Sequence, residues 1–312
     1  MTTRRQRIEG GLVGLLVGDA LGVPYEFEQV PPPEQIEFVP PPGHWHAWPG
    51  TPPGTWSDDG AQALCLLASL LKCGCLDPDD LAGRLLRCHA EGYLWVDGRV
   101  FDTGVTTAAA LRAYRAGRPA LEAGPAGERD NGNGSLMRVL PLALWHRGTD
   151  AELAADARTQ SRVTHGHLRA QLCCALYCLW ARRTLEEFEE PWAAVAALRA
   201  LCPEGSEDHR ELEEHIRPLA PPGGQGTGYV VDCLHSARLA VAAGPFEAAV
   251  KAAVALGEDT DTTAAVTGGI AGLRDGVGAI PARWRAALRG RELYEALLQG
   301  LLTCGEEADE VR

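Results

Sequence analysis

Ile8, Leu12, Leu15 and Leu16 recur at helical spacing near the start of the chain, and Gly11, Gly14, Gly18 and Gly22 form a second stripe beside them. This pattern predicts a buried first helix whose glycine face admits a second helix at close range. From Ser57 onward the three-to-four periodicity returns over 57–72, 78–91, 104–116, 135–147, 150–161, 167–182, 190–201, 228–243, 246–256, 261–272 and 291–303. No strand series interrupts these segments, so the reading is an all-α fold. Residues 31–53 break the pattern with nine prolines, which exclude both a helix and a central strand. With Trp45, Trp48 and Trp56 interleaved, 31–56 is read as a long ordered loop, the kind that serves as a lid or binding loop. The charged stretch 203–217 reads as a solvated surface insertion and 304–312 as a frayed acidic tail. That leaves one domain over 1–303.

Composition narrows the function classes. The chain has 312 residues, 46% hydrophobic and 23% charged, enough apolar material for a large core. A net charge of -13 repels nucleic acid and anionic membrane, which are gripped first through basic patches. An anionic ligand must then be received locally, by metal ions or by backbone N–H groups at helix starts. The ten cysteines are too sparse for a disulfide scaffold, and Cys65 and Cys178 lie inside apolar helical runs, which points to a reducing cytoplasm. Cys73/Cys75 and Cys173/Cys174 lack zinc-site spacing. Glu9 and Asp19 bracket the apolar start, which argues against a signal segment, and no stretch reaches the ~18 uninterrupted apolar residues of a membrane span.

Five constellations carry possible chemistry. Ser57-Asp58-Asp59-Gly60 precedes an apolar run and is at least a helix start, with a serine cap and two acids against the positive end of the macrodipole. Asp259-Thr260-Asp261-Thr262 opens a second helix, and its two carboxylates and hydroxyl are the hard oxygen donors that magnesium or manganese prefer. If the two segments meet, four carboxylates crowd together and a divalent cation, or a pair, relieves their repulsion. Asn131-Gly132-Asn133-Gly134-Ser135 is either a turn with a cap or a cradle for phosphate or ribose. His165 and His167, two apart, cannot share a helix face and either can be structural. Gly228 and Tyr229 end a glycine-rich loop that is a linker or a wrap around a nucleotide. Asp19 lies on the apolar face of the first helix, where it caps a neighbour or supports a site.

These segments, with Gly18-Asp19-Ala20-Leu21-Gly22, Tyr25-Glu26-Phe27, Phe101-Asp102-Thr103-Gly104, Thr164-His165-Gly166-His167 and Gly228-Tyr229-Val230-Val231-Asp232, occur in the order seen in the ADP-ribosylglycohydrolase family, which the chain resembles along nearly its whole length. The resemblance implies a single compact orthogonal helical bundle with a buried binuclear Mg2+ or Mn2+ centre. It implies Ser57, Asp58, Asp59, Asp259, Asp261 and Thr262 as ligands, with Ser57 where the family usually has threonine. It implies hydrolysis of the glycosidic bond at C1″ of the distal ribose of ADP-ribose, with Glu26 on a mobile loop as acid/base candidate and Asp102 as the second. His165, Asn131, Gly132, Asn133, Gly134, Ser135, Gly228 and Tyr229 would hold the substrate.

The expected partner is an ADP-ribosylated protein or other ADP-ribose conjugate, met by a monomer. Arginine linkage is favoured over serine or nucleic-acid linkage. A non-catalytic ADP-ribose reader and a metal phosphohydrolase acting on a nucleotide stand as the alternatives.

Overall fold

The computed structural model describes residues 2–186 and 191–309. Among them no strand occurs, and the chain runs through helices α1 (Arg4–Gly22), α2 (Asp58–Cys73), α3 (Pro78–Glu91), α4 (Val105–Arg115), α5 (Ala120–Ala123), α6 (Leu140–Trp145), α7 (Asp150–Arg162), α8 (Leu168–Leu185), α9 (Ala194–Ala200), α10 (Glu207–Arg210), α11 (Val230–Val241), α12 (Phe246–Val254), α13 (Thr260–Asp275), α14 (Ala282–Ala287) and α15 (Arg291–Asp309). The buried apolar residues form one core that extends from Ile8 to Leu302.

Two central helices organise this core. Helix α1 starts on a capping box, with Thr3 and Gln6 satisfying each other's backbone N–H groups, and is buried from Gly10 to its end. By length and mean hydropathy it resembles a membrane span, yet 94% of that window lies inside the protein. Its partner is α13. A Cβ added at Gly14 would sit 2.4 Å from Gly268 O, and one at Gly18 would sit 2.1 Å from Ala264 O. The two backbones therefore touch, as the glycine stripe predicts, but the contacting row is 10, 14, 18 and 22. Gly11 faces the Leu273 side chain instead. This crossing places Asp19, at the end of α1, beside Asp261, at the start of α13. Gly18→Ala is expected to push the helices apart and destabilise the protein by about 1–3 kcal/mol, read by urea unfolding. Unchanged stability would mean that the helices do not cross this closely.

Three segments depart from the sequence reading. The helix expected over 135–147 is confined to Leu140–Trp145, because Pro141 lacks an N–H and its ring clashes with a preceding helical turn; residues 134–138 form turns instead. The stretch 203–217 is largely exposed, yet it carries helical structure, α10 and a π-helical turn over Glu211–Ile216, with Leu212 and Ile216 fully buried. The periodicity there was masked by the surrounding charges. The tail expected to fray from 304 continues as helix through Asp309, and 310–312 lie outside the described residues. The ten cysteines are unpaired.

Candidate active site

Helix α2 begins at Asp58 because Ser57, in extended conformation, accepts the Asp59 N–H on its hydroxyl. Asp19 completes this start: its Oδ1 accepts from Ser57 N and its Oδ2 from Gly60 N, both at 2.8 Å. The lone carboxylate on the apolar face of α1 is thus the cap of a neighbouring helix. Helix α13 begins far along the chain at Thr260, and Thr260 Oγ1 donates to Gly22 O at 2.9 Å, locking its first turn to the end of α1. The two helix starts meet directly, Thr262 Oγ1 donating to Asp59 Oδ2 at 3.2 Å.

In each of the four aspartates expected as ligands, one carboxylate oxygen is tied within the protein. Asp58 Oδ2 accepts from Gln62 Nε2 at 2.6 Å, and Asp59 Oδ2 from the hydroxyls of Ser57 and Thr262, both at 3.2 Å. Asp259 Oδ2 accepts from Asn133 Nδ2, and Asp261 Oδ1 from Thr262 N, both at 2.9 Å. The other oxygens of Asp59 and Asp261, Oδ1 and Oδ2 respectively, are buried without a hydrogen-bond partner. A buried anionic oxygen with no donor is costly. A divalent cation is the partner that fits hard carboxylate and hydroxyl donors grouped in this way.

Glu26 and Asp102 complete the cluster, each placing a carboxylate oxygen within 4.8 Å of the other and of Asp261. Burial pushes every one of these acids upward: Glu26, Asp19 and Asp259 to about 7 and Asp261 to about 8. Asp58, Asp59 and Asp102 rise far above the carboxylate range, through burial first and then the neighbouring carboxylates. A cation would reverse the direction of all of them. Three non-glycine residues at this site have left-handed backbones, Phe27 at φ 51°, Asp102 at 54° and Glu258 at 56°. The first and last are joined, Phe27 N donating to Glu258 O at 2.7 Å. Strain of this kind persists where the surroundings over-determine it, typically at functional sites.

A cleft of about 370 Å³ is lined by Glu26, Asp58, Asp102 and Asp259 together with Gly132, Asn133, Gly134, His165 and Gly228. The 131–134 turn is held by the glycine-rich loop, through Asn133 N to Gly228 O and Val230 N to Asn131 O, both at 3.0 Å. His165 is buried, its Nδ1 lies 2.9 Å from Thr164 Oγ1, and burial beside Arg138 lowers it to about 3. It is therefore a neutral polar group near pH 7.

Some sequence-predicted residues stand apart. Asn131 and Ser135 do not line the cleft: the Asn131 amide donates to Glu128 O, and the Ser135 hydroxyl is fully buried against Ser161 Oγ at 2.8 Å. Ser135 is a core contact, because the chain turns inward at that point. Tyr229 stands outside the cleft, its phenol oxygen accepting from Arg169 Nη1 at 3.1 Å; its backbone, not its ring, meets the turn. His167 caps α8. Glu26 was expected on a mobile loop, but its side chain is already inside the cleft and buried, accepting from Trp48 Nε1 at 2.6 Å.

Trp48 itself was not foreseen as a site residue, although its place in the proline-rich loop marked it as out of the ordinary. Gln62, Asn133 as partner of Asp259, and the 103–107 wall were missed as well. Of these only Gln62, one helical turn beyond Asp58, had a sequence signal.

A family profile described as ADP-ribosylglycohydrolase matches residues 1–310. The chain is 31% identical over 319 residues to the ADP-ribosylarginine hydrolase Tri1 of Pseudomonas putida, covering 98% of this chain and 80% of that protein. It is 30% identical over 284 residues to the ADP-ribosyl-dinitrogen reductase glycohydrolase of Rhodospirillum rubrum, covering 90% of each. A solved structure described as an ADP-ribosylglycohydrolase-related protein complex superposes with a TM-score of 0.76 at 34% identity, over 97% of this chain and 99% of that one. With residues 1–310 matched by the family profile and the fold shared with a solved relative, the chain belongs to the ADP-ribosylglycohydrolase family of glycosidases.

Proposed function

We propose that the protein releases ADP-ribose from an arginine side chain, using divalent metal held between the starts of α2 and α13. The observation that carries this reading is the meeting of Ser57–Asp59 with Asp259–Thr262, with two buried carboxylate oxygens left without donors. Ser57, Asp58, Asp59, Asp259, Asp261 and Thr262 would hold one or two Mg2+ or Mn2+ ions. Bound there, metal would hold the hydroxyls of the distal ribose and orient C1″ for attack by water.

The remaining work falls to the chain's own groups. The turn at Gly132–Gly134 and neutral His165 bind the ribose and phosphate oxygens. Water adds at C1″ as the bond to the acceptor nitrogen breaks, and the guanidinium, cationic in the conjugate, takes the bonding pair and departs as neutral guanidine. Glu26 or Asp102 takes the proton of the water, and the guanidine leaves with little need of protonation. An acidic cleft also suits a cationic acceptor. Two relatives named ADP-ribosylarginine hydrolase support the same choice.

Arginine-, serine- and DNA-linked ADP-ribose offered side by side, with products read by mass spectrometry, test the reading. Free ADP-ribose from the arginine-linked substrate, abolished by chelator and restored by Mn2+ or Mg2+, is the expected result. Release of AMP or inorganic phosphate would make it a phosphohydrolase, and binding without release a reader.

A further inference from the structure

Gln62 lies one turn beyond Asp58 on α2, 3% exposed, and spans two groups of opposite character. Its Nε2 donates to Asp58 Oδ2 at 2.6 Å and its Oε1 accepts from Arg138 Nη1 at 3.1 Å. Arg138 is fully buried. Its other hydrogen bonds go to Gln160 Oε1, Gln160 O and Gly134 O, at 3.0, 3.0 and 3.2 Å, so all four acceptors are neutral.

The chemistry of these partners fixes the amide. A guanidinium has donors and no acceptor, so Gln62 must turn its oxygen toward Arg138 and its NH2 toward Asp58. The flipped amide would set NH2 against guanidinium and carbonyl oxygen against carboxylate, and both contacts would be repulsive. Asp58 Oδ2 is therefore claimed by a donor whose direction is set from behind, and Oδ1 is left to meet a ligand in the cleft. Through Gly134 O the same guanidinium also holds the 132–134 turn, which lines that cleft with Asp58.

We infer that Gln62, oriented by Arg138, is a positioning residue that presents Asp58 to the metal through Oδ1 alone and sets its distance from the substrate turn. The inference rests on the metal reading above. A group that orients a metal ligand typically governs affinity, at 10–100-fold on replacement.

Calorimetric titration of chelator-treated protein with Mn2+ alone tests it. Gln62→Met preserves length and volume and removes the donor, and is expected to weaken Mn2+ binding by about 10-fold or more. In an Asp58→Asn background the same substitution is expected to change Mn2+ binding no further, because its effect passes through Asp58. A structural role would instead lower the unfolding temperature and leave affinity in the folded protein unchanged. Unchanged Mn2+ affinity in Gln62→Met, or an equal loss in the Asp58→Asn background, would overturn the inference and leave the metal site standing. Unchanged Mn2+ binding in Asp58→Asn itself would overturn both.

A readout that needs no variant is the Mn2+-loaded parent structure. Asp58 is expected to ligate through Oδ1 with the Gln62 contact to Oδ2 retained, and bidentate or Oδ2 ligation would refute the inference.

Discussion

Asp261→Asn is expected to lower turnover by more than the roughly 100-fold that follows from losing a group that merely orients a metal ligand, with the fold intact. Asp261 is fully buried, its Oδ1 is held by Thr262 N, and its Oδ2 has no donor. Asparagine preserves shape and removes a charge that a divalent cation needs. The same charge is a burden without the cation, since burial and then the nearby Glu26 and Asp19 carboxylates push Asp261 up to about 8. The chelator-treated variant is therefore expected to unfold at the same or a higher temperature than the chelator-treated parent, while its activity with metal is lost. Loss of activity together with stability would reduce Asp261 to a structural role, and retained activity would remove it from the site.

Glu26→Gln is expected to slow turnover by on the order of 10²-fold or more, with Mn2+ and ADP-ribose affinities near those of the parent. The side chain of glutamine can accept from Trp48 Nε1 as Glu26 does at 2.6 Å, so position and packing survive. The ability to exchange a proton does not. The residues proposed to hold metal and the 132–134 turn lie on other segments, which is why binding and rate should separate. Near-normal turnover would take Glu26 out of the mechanism and move the acid/base role to Asp102, whose left-handed backbone holds its carboxyl beside the same cleft.

The fold was legible wherever burial and periodicity agreed. The first helix, its glycine face and the start of α2 at Ser57 follow from local pattern, since close helix approach and capping are both written in short stretches of residues. The pattern failed at Pro141, where one ring shortened a periodic segment, and at Leu212 and Ile216, two apolar anchors inside a charged stretch. The residue types of the site were also legible, because Asp58, Asp59, Asp259 and Asp261 stand in compact acidic motifs. Their meeting was not. It depends on α1 crossing α13 at glycines and on Thr260 clamping Gly22, both long-range contacts with no local signature. The same holds for Trp48 reaching Glu26 and for Arg138 fixing Gln62, where the chemistry of one residue depends on a partner far along the chain.

The central claim is that the starts of α2 and α13 together hold hard cations. Anomalous diffraction from crystals grown with Mn2+ tests it most directly. One or two anomalous peaks within about 2.0–2.4 Å of carboxylate oxygens from both Asp58–Asp59 and Asp259–Asp261 are the predicted result. Peaks confined to other surfaces, or no peak between the two helix starts at millimolar Mn2+, would contradict it.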